Sequence, residues 1–397
     1  MQRLIAHIDM DCFFVSCERK QDTTLNHQPV VVGGIHRRGV VCSASYEARP
    51  WGITAGMPIQ QAKNRCSKLR IVPLHPELYQ RYSRKIYVLL KYWAPKVEYA
   101  SIDEFYLDLS GCEQMYQQSP QELSKQIQQS IWNRTGLSCS VAMASNKYVA
   151  KIAVKTVKPQ GIQYVPDGEE SRFLSKLPIA RLHGAGPQTL SIFQKMNIKL
   201  IGDLLPWSLR QLQGHFGKLR GQWIYESVRG IDHSEVQEKF VRKSISCETT
   251  FEEDIFERND IDSHLSWLCE RTCYQLRVQR FKTESVSLKV RFSDFETMIR
   301  SKKIDATDSE ERIFKSLQWI YQSISFRKKI RLLGVQLKDL IRPTQESFPD
   351  LEEIQHNNLH PYIDQIKKKY GFSKIMRLSS LTHFDKKEGR NNTTHEH

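Results

Sequence analysis

Several features that would settle a protein's class are missing from this sequence. No apolar run reaches the ~20 residues that cross a bilayer, so no transmembrane segment is expected. The N-terminus enters a strand-like pattern at once, without a secretory leader, and a cytoplasmic, nucleoid-associated protein is expected. Nine cysteines are scattered along 397 residues with no C-x-x-C pair and no Cys/His zinc spacing. That speaks against a zinc module. It leaves buried reduced thiols as the expectation for Cys12, Cys42 and Cys139, with Cys269 and Cys273 sharing a helical face. No internal repeat is evident. Acidic residues are in deficit, 44 against 59 Lys and Arg, for a net charge of +15. Such a balance calls for a polyanionic partner, nucleic acid first and an anionic membrane surface second. The chain is also too long for one ordinary core and should divide into several domains.

What the sequence does contain is acid at the ends of apolar strands. Asp103 and Glu104 sit side by side in Ser101-Ile102-Asp103-Glu104-Phe105-Tyr106-Leu107-Asp108, with strand-like sequence on both sides. Such a pair is ordinarily a solvated turn. When partly buried, however, adjacent carboxylates repel and need a cation. Asp9 ends the strand-like Ile5-Ala6-His7-Ile8 in the same way. Carboxylates without neighbouring His or Cys suit Mg²⁺ or Mn²⁺, and two such ions about 4 Å apart serve in-line nucleotidyl transfer.

The first ~165 residues read as α/β. Leu4, Ala6 and Ile8 share one strand face, and residues 29–34 and 40–44 read as further strands. Residues 97–109 predict a hairpin whose turn carries the acid pair. Ser119, Pro120 and Glu122 predict a capped helix ending at Gly136. Leu137–Ala144 returns as a strand, and a second helix starts at Asn146 and stops before Pro159. This order fits a ferredoxin-like split βαβ sheet. From 173 to 235 the pattern changes to short helices with glycine turns. Leu182-His183-Gly184-Ala185-Gly186-Pro187 predicts a helix-hairpin-helix whose backbone N–H groups hold a phosphate, with a weaker version at Phe216–Gly221. Residues 236–242 read as a polar linker or edge segment. Beyond them an α+β domain is predicted, with strands at 244–251, 284–293 and 331–341 and helices near 260–280 and 309–325. Val286, Leu288, Val290 and Phe292 alternate with Ser287, Lys289, Arg291 and Ser293, a half-exposed sheet with a partly basic outer face. A short helix over 359–370 follows, and a disordered end is expected from Lys386.

Two smaller signals complete the set. In Ser43-Ala44-Ser45-Tyr46-Glu47-Ala48-Arg49, a strand leading into a helix would put Tyr46 and Arg49 on one face, where hydroxyl and guanidinium grip a triphosphate. Lys158 stands at a helix end, in Lys158-Pro159-Gln160-Gly161, where a lone lysine ordinarily compensates the helix dipole. In order and spacing, Asp9–Phe14, Ser45–Arg49, Ser101–Asp108, Lys158–Gly161 and His183–Gly186 together resemble a Y-family translesion DNA polymerase. The closest branch is the DinB, or DNA polymerase IV, type.

The resemblance covers residues 1 to about 342. It implies an α+β right-hand polymerase: a ferredoxin-like palm (1–12 and 78–168), small fingers (13–77), a helix-hairpin-helix thumb (169–235), a linker (236–241) and an α+β little finger (242–342). It implies Asp9, Asp103 and Glu104 as catalytic metal ligands for two Mg²⁺, replaceable by Mn²⁺, with the Met10 carbonyl completing one site. Tyr46, Arg49, Lys158, Ser43 and the backbone of Cys12, Phe13 and Phe14 would hold the incoming dNTP, under a roof of Cys42 and Ser43. Phe14 stands at the steric gate; without the motif it would read as a core aromatic. Gly184, Gly186, Lys289 and Arg291 would meet the DNA backbone. Primer–template DNA and dNTP are the implied partners, and a monomer is expected. Gln345–Leu351 is a degenerate sliding-clamp peptide within the tail, 343–397. A short fingers segment and the lack of a second acidic cluster imply low fidelity without proofreading. Three departures stand out: His183 where the hairpin usually has Pro, Phe105 after the acid pair, and Pro50-Trp51 after Arg49. The rival readings are a catalytically weak mutasome subunit or DNA-bound adaptor, and a nucleotidyl cyclase.

Overall fold

The computed structural model describes residues 3–112, 116–238, 241–324, 327–342 and 359–377, in two compact units, 1–240 and 241–397. In the first unit the chain runs β1 (Ile5–Met10), α1 (Phe13–Gln21), β2 (Val30–Gly33), β3 (Val41–Ala44), α2 (Ile59–Arg65), β4 (Arg70–Val72) and α3 (Pro76–Leu90). Then come β5 (Lys96–Tyr99), β6 (Glu104–Asp108), α4 (Pro120–Thr135), β7 (Cys139–Ala144), α5 (Lys147–Thr156) and β8 (Ile162–Tyr164). The main sheet has the order β5-β6-β1-β7-β8, with β1 antiparallel to both neighbours. β5 and β7 thus flank the β1–β6 pair in a split βαβ arrangement, as the sequence predicts. β1 is buried on both faces. Ala6, Ile8 and Met10 join the large core with Ile86 and Leu90 of α3 and Leu123, Ile127 and Ile131 of α4, while α5 packs on the sheet as well.

α4 forms where its signals place it. Ser119 and Glu122 make a reciprocal capping box, Pro120 opens the helix, and Gly136 closes it in the left-handed region at φ 63°. β2, β3 and β4 make a separate three-stranded sheet with the order β3-β2-β4. Its own small core contains Val31, Val41, Ala48, Ile53 and Ile59. Phe13, Val15 and Cys17 of α1 belong instead to the large core.

Two local expectations need correction. The chain after β3 makes turns and a single 3-10 turn, Arg49–Trp51, not an α-helix, because Pro50 and the left-handed Gly52 at φ 70° stop propagation. Cys42 is exposed rather than buried, since its strand lies at the edge of the small sheet.

Residues 170–228 are helical: α6 (Glu170–Ser175), α7 (Pro187–Lys195), α8 (Leu209–Phe216) and α9 (Lys218–Val228), with 3-10 turns at Ile179–Arg181 and Ile201–Leu204. Leu174, Phe193, Leu212, Ile224 and Val228 share one core with Val149 and Ala153 of α5. The segment after α9 is less free than a polar linker. Val236 is buried with Ile5 and Tyr106, and the Gln237 N–H donates to Glu98 Oε2 at 2.8 Å.

The second unit is a four-stranded antiparallel sheet of β9 (Ser244–Ile255), β10 (Lys282–Phe292), β11 (Thr297–Thr307) and β12 (Ile330–Ile341), in the order β11-β10-β12-β9. α10 (Arg258–Val278) and α11 (Glu310–Gln322) bury Leu265, Cys269, Cys273, Leu276, Ile313 and Leu317 against Val286, Leu288, Val290 and Phe292. β11 is absent from the sequence reading. It is an edge strand with a largely exposed, charged sequence, so no alternating apolar face marks it. α12 (His360–Tyr370) appears where expected. The clamp-like Gln345–Leu351 and the end from Lys386 lie outside the described residues. No helix among the described residues is long and apolar enough to cross a membrane.

Candidate active site

Strand register assembles the acids. β1 and β6 pair so that Asp9 faces Glu104, and the Met10 N–H donates to the Asp103 carbonyl at 3.0 Å. Ser101 ties the intervening turn. Its hydroxyl donates to Asp103 Oδ1 at 2.7 Å and accepts from the Glu104 N–H at 3.1 Å. Asp9 is buried, with Asp103 and Glu104 partly so. Burial, opposed by Lys158 and reinforced by Glu104 and Asp103, pushes the Asp9 carboxyl up to about 6.

Two lysines answer this negative cluster. Lys158 Nζ lies 2.5 Å from Asp9 Oδ1 and 2.9 Å from the Met10 carbonyl. Lys151 Nζ, from α5, lies 2.6 Å from Glu104 Oε2. Among the described residues no three His, Cys, Asp or Glu side chains are already gathered into a metal cage; Asp9 and Glu104 are each ion-paired to a lysine instead. In chemistry the donors fit a hard divalent cation, because they are carboxylate and carbonyl oxygens around a buried charge that needs compensation.

Beside the acids lies the Tyr46–Arg49 segment. The Arg49 guanidinium stacks 4.1 Å over the Tyr46 ring, so the two residues meet through turns rather than along a helix. The Tyr46 hydroxyl donates to Asp11 Oδ1 at 3.2 Å, and burial together with Asp11 raises its pKa far above the usual phenol value. Cys12 takes the left-handed conformation, φ 34°, at the start of α1. That turn buries Phe13 and leaves Phe14 partly exposed, its ring stacked on Tyr79 at 4.4 Å and 20°. Ser43, partly buried, and Cys42, exposed, lie on β3, which leads into the Tyr46 turn.

The remaining predicted residues lie elsewhere. Gly184, at φ 97°, makes the turn before α7, and a side chain there would strike Trp223. Gly186 is the N-cap of α7, with open space around its Cα. The His183 carbonyl accepts from the Tyr148 hydroxyl at 3.2 Å. Phe105 is fully buried, edge-on to Tyr99 at 5.4 Å, so this departure acts in packing. In the second unit, Lys289 pairs with Glu248 at 2.7 Å and Arg291 Nε donates to Thr297 Oγ1 at 2.9 Å.

The sequence reading missed Lys151, Asp11 and Ser140. Lys151 carries a readable signal only in hindsight: Lys147, Lys151 and Lys155 recur every four residues on an otherwise apolar helix. Asp11 is fully buried and Ser140 donates to its Oδ1 at 3.0 Å. Nothing local in the sequence marks that pair.

Comparison with known proteins agrees with this geometry. Residues 8–155 match the impB/mucB/samB family and residues 242–351 that family's C-terminal domain. Residues 177–231 match the helix-hairpin-helix motif described for DNApol eta/Rev1. A solved Y-family DNA polymerase chimera of Dbh and Dpo4 superposes with a TM-score of 0.76 at 26% identity, covering 86% of this chain and all of that one. The chain is 36% identical over 377 residues to a DNA polymerase IV of Dehalococcoides mccartyi (strain CBDB1), covering 94% of the chain and 96% of that protein. The chain belongs to the impB/mucB/samB family of Y-family DNA polymerases. Another relative, a DNA polymerase IV of Desulfatibacillum aliphaticivorans, is 34% identical over 388 residues, 96% of the chain and 98% of that protein. The right-hand α+β architecture predicted from the motifs is therefore that of a Y-family, DNA polymerase IV-type enzyme.

Proposed function

We propose that this DNA-directed DNA polymerase carries out low-fidelity translesion synthesis, joining a dNTP to a primer 3′-OH by two-metal nucleotidyl transfer. The observation that carries this reading is the strand register that sets Asp9 opposite Glu104 with Asp103 bonded to the Met10 backbone. On this reading residues 1–12 and 78–168 are the palm, 13–77 the fingers, 169–235 the thumb and 242–342 the little finger. Enzymes of this family depend on divalent metal. Here Asp9, the Met10 carbonyl, Asp103 and Glu104 would hold two Mg²⁺, replaceable by Mn²⁺. When bound, these ions supply activation of the 3′-OH and charge neutralisation on the phosphates.

The protein's own groups do the rest. Lys158 and Arg49, with Tyr46, Ser43 and the backbone of Cys12–Phe14, hold the triphosphate. Phe14, braced by Tyr79, lies against the sugar and excludes a 2′-OH. Cys42 and Ser43 form a small-residue roof that leaves room for damaged bases. Gly184 and Gly186 present backbone to the template duplex, and Lys289 and Arg291 meet its phosphates. We further propose that the enzyme is monomeric, lacks proofreading, works at the bacterial nucleoid and reaches a sliding clamp through Gln345–Leu351.

Primer extension on undamaged and abasic templates tests the reading. Asp103→Ala should abolish extension while primer–template affinity stays within about twofold, as expected when only a transition-state group is removed. Failure of the unaltered protein to add any nucleotide with Mg²⁺ or Mn²⁺ would favour the adaptor alternative. The retention of all three acids speaks against that alternative.

A further inference from the structure

We propose that Asp11 is a positioning residue that presets both cationic arms of the triphosphate grip, Arg49 through Tyr46 and Lys158 through Gln160. The proposal rests on the reading of Arg49 and Lys158 as that grip.

Asp11 is the first residue after β1 and has no exposed surface. Its two oxygens collect donors from three distant parts of the chain. Oδ1 accepts from the Tyr46 hydroxyl at 3.2 Å and from the Ser140 hydroxyl at 3.0 Å. Oδ2 accepts from the Gln160 N–H at 2.9 Å, and Lys158 Nζ itself lies 4.0 Å from Oδ1. One carboxylate thus ties the turn after β3, the strand β7 and the turn after α5 to the end of the catalytic strand. Buried donors left without an acceptor are costly, so each tie holds its segment firmly.

The direction of the Tyr46 bond matters. In this structure its one hydroxyl proton points to Asp11. Its ring face carries the Arg49 guanidinium at 4.1 Å. Fixing the hydroxyl fixes the platform and, with it, the guanidinium. On the other side, Gln160 has a left-handed backbone, φ 54°, two residues after Lys158. Its N–H bond to Asp11 pins the turn that aims Lys158 Nζ at Asp9 and Met10.

The geometry also distinguishes the variants. An asparagine at position 11, with its amide turned, can donate twice, to the Tyr46 and Ser140 oxygens, and still accept from Gln160 N–H. Alanine can do neither. The experiment measures dNTP affinity on a complex with a dideoxy-terminated primer, together with KM and kcat for single-nucleotide addition and primer–template affinity. Asp11→Ala should raise the dNTP dissociation constant and KM by about 10- to 100-fold, with primer–template affinity unchanged. Asp11→Asn should restore both to within a few-fold of the original.

Equal losses in Asp11→Ala and Asp11→Asn, or equal weakening of dNTP and primer–template binding, would mean a purely structural role and overturn the proposal. Arg49→Ala and Lys158→Ala serve as controls. If neither raises KM for dNTP, the grip reading itself is wrong. If both do and Asp11→Ala does not, only the positioning role falls. Should Asp11→Ala fail to fold, Tyr46→Phe is compared in the presence and absence of Arg49. The proposal expects Tyr46→Phe to weaken dNTP binding more where Arg49 is present than where it is absent. Equal effects in both backgrounds would leave Tyr46 uncoupled from Arg49 and refute it.

Discussion

Phe14 shows how much a single side chain depends on its brace. Its ring stacks on Tyr79, whose hydroxyl donates to Glu18 at 2.5 Å and accepts from the His75 N–H at 3.1 Å. As the proposed gate, a ring so held would discriminate sterically. Phe14→Ala should lower discrimination against ribonucleotides by at least about tenfold, measured as the ratio of rNTP to dNTP incorporation efficiencies. Unchanged sugar selection would remove Phe14 from that role. At this scale the acids Asp9, Asp103 and Glu104 were legible because each ends or opens an apolar strand, a local pattern. Asp11 was not, although it stands in the same motif. Its donors come from 35, 129 and 149 residues away, and no local pattern encodes contacts that only the sheet creates. Lys151 was hidden differently: a lysine on a helix reads as solvated until the strand beneath it is known to carry Glu104.

Among the elements, those whose ends carry their own chemistry were readable. α4 has its capping box and its C-terminal glycine, and it forms between them. The Tyr46–Arg49 segment misled because residues three apart share a face only if a helix exists, and Pro50 stops one from forming.

α12 was legible as a helix, but its docking was not. Lys367 Nζ lies 2.5 Å from Glu270, with only 1% and 4% of the two side chains exposed. Arg277 grips Asp364 with two bonds of 2.7 and 3.0 Å, and Phe372 packs on Tyr274 at 5.6 Å. Removing one partner of a pair this buried costs about 3–5 kcal/mol. Lys367→Ala should therefore lower the unfolding temperature of the C-terminal unit and release amide protection over 360–370 in hydrogen exchange. Arg258→Ala, which breaks an exposed pair with Asp262, should change little.

The docking of α12 should also depend on pH. Burial, then Arg277, lowers the His360 pKa below 6.5, with Arg377 and Lys367 adding to this and Asp364 opposing it. Both folded and unfolded chains hold it neutral above pH 6.5. As pH falls below that value the unfolded chain takes up the proton first, so stability present at neutral pH is lost. Burial raises the Glu310 pKa, which acts in the opposite sense nearer its own range. The His360 share is isolated by comparison with His360→Gln, and the original protein should lose more amide protection over 360–370 between pH 7 and 5.5.

At the scale of the whole molecule, charge is unevenly divided. Residues 1–240 carry 31 Lys and Arg against 20 Asp and Glu, a net +11, whereas 241–397 carry 28 against 24, a net +4. The overall basic balance, legible at once, pointed to nucleic acid but not to where the positive charge would be free. In the C-terminal unit some of it is already engaged: Lys289 with Glu248, Lys328 with Asp294 and Glu296, Arg277 with Asp364. If DNA binds this unit as proposed, a phosphate that takes Lys289 or Lys328 would displace the carboxylate already paired to it. That makes the proposed role of Lys289 and Arg291 a quantitative matter. If both meet phosphates, the double variant Lys289→Ala with Arg291→Ala should weaken primer–template binding at low salt. It should also flatten the dependence of log affinity on log salt by about 1.8, near 0.9 for each phosphate left without its cation. If Glu248 keeps Lys289 on the protein, the slope should fall by only half as much, and Glu248→Gln should then steepen it. An unchanged slope in the double variant would place the DNA backbone on other residues of this unit, or on the more basic residues 1–240 alone.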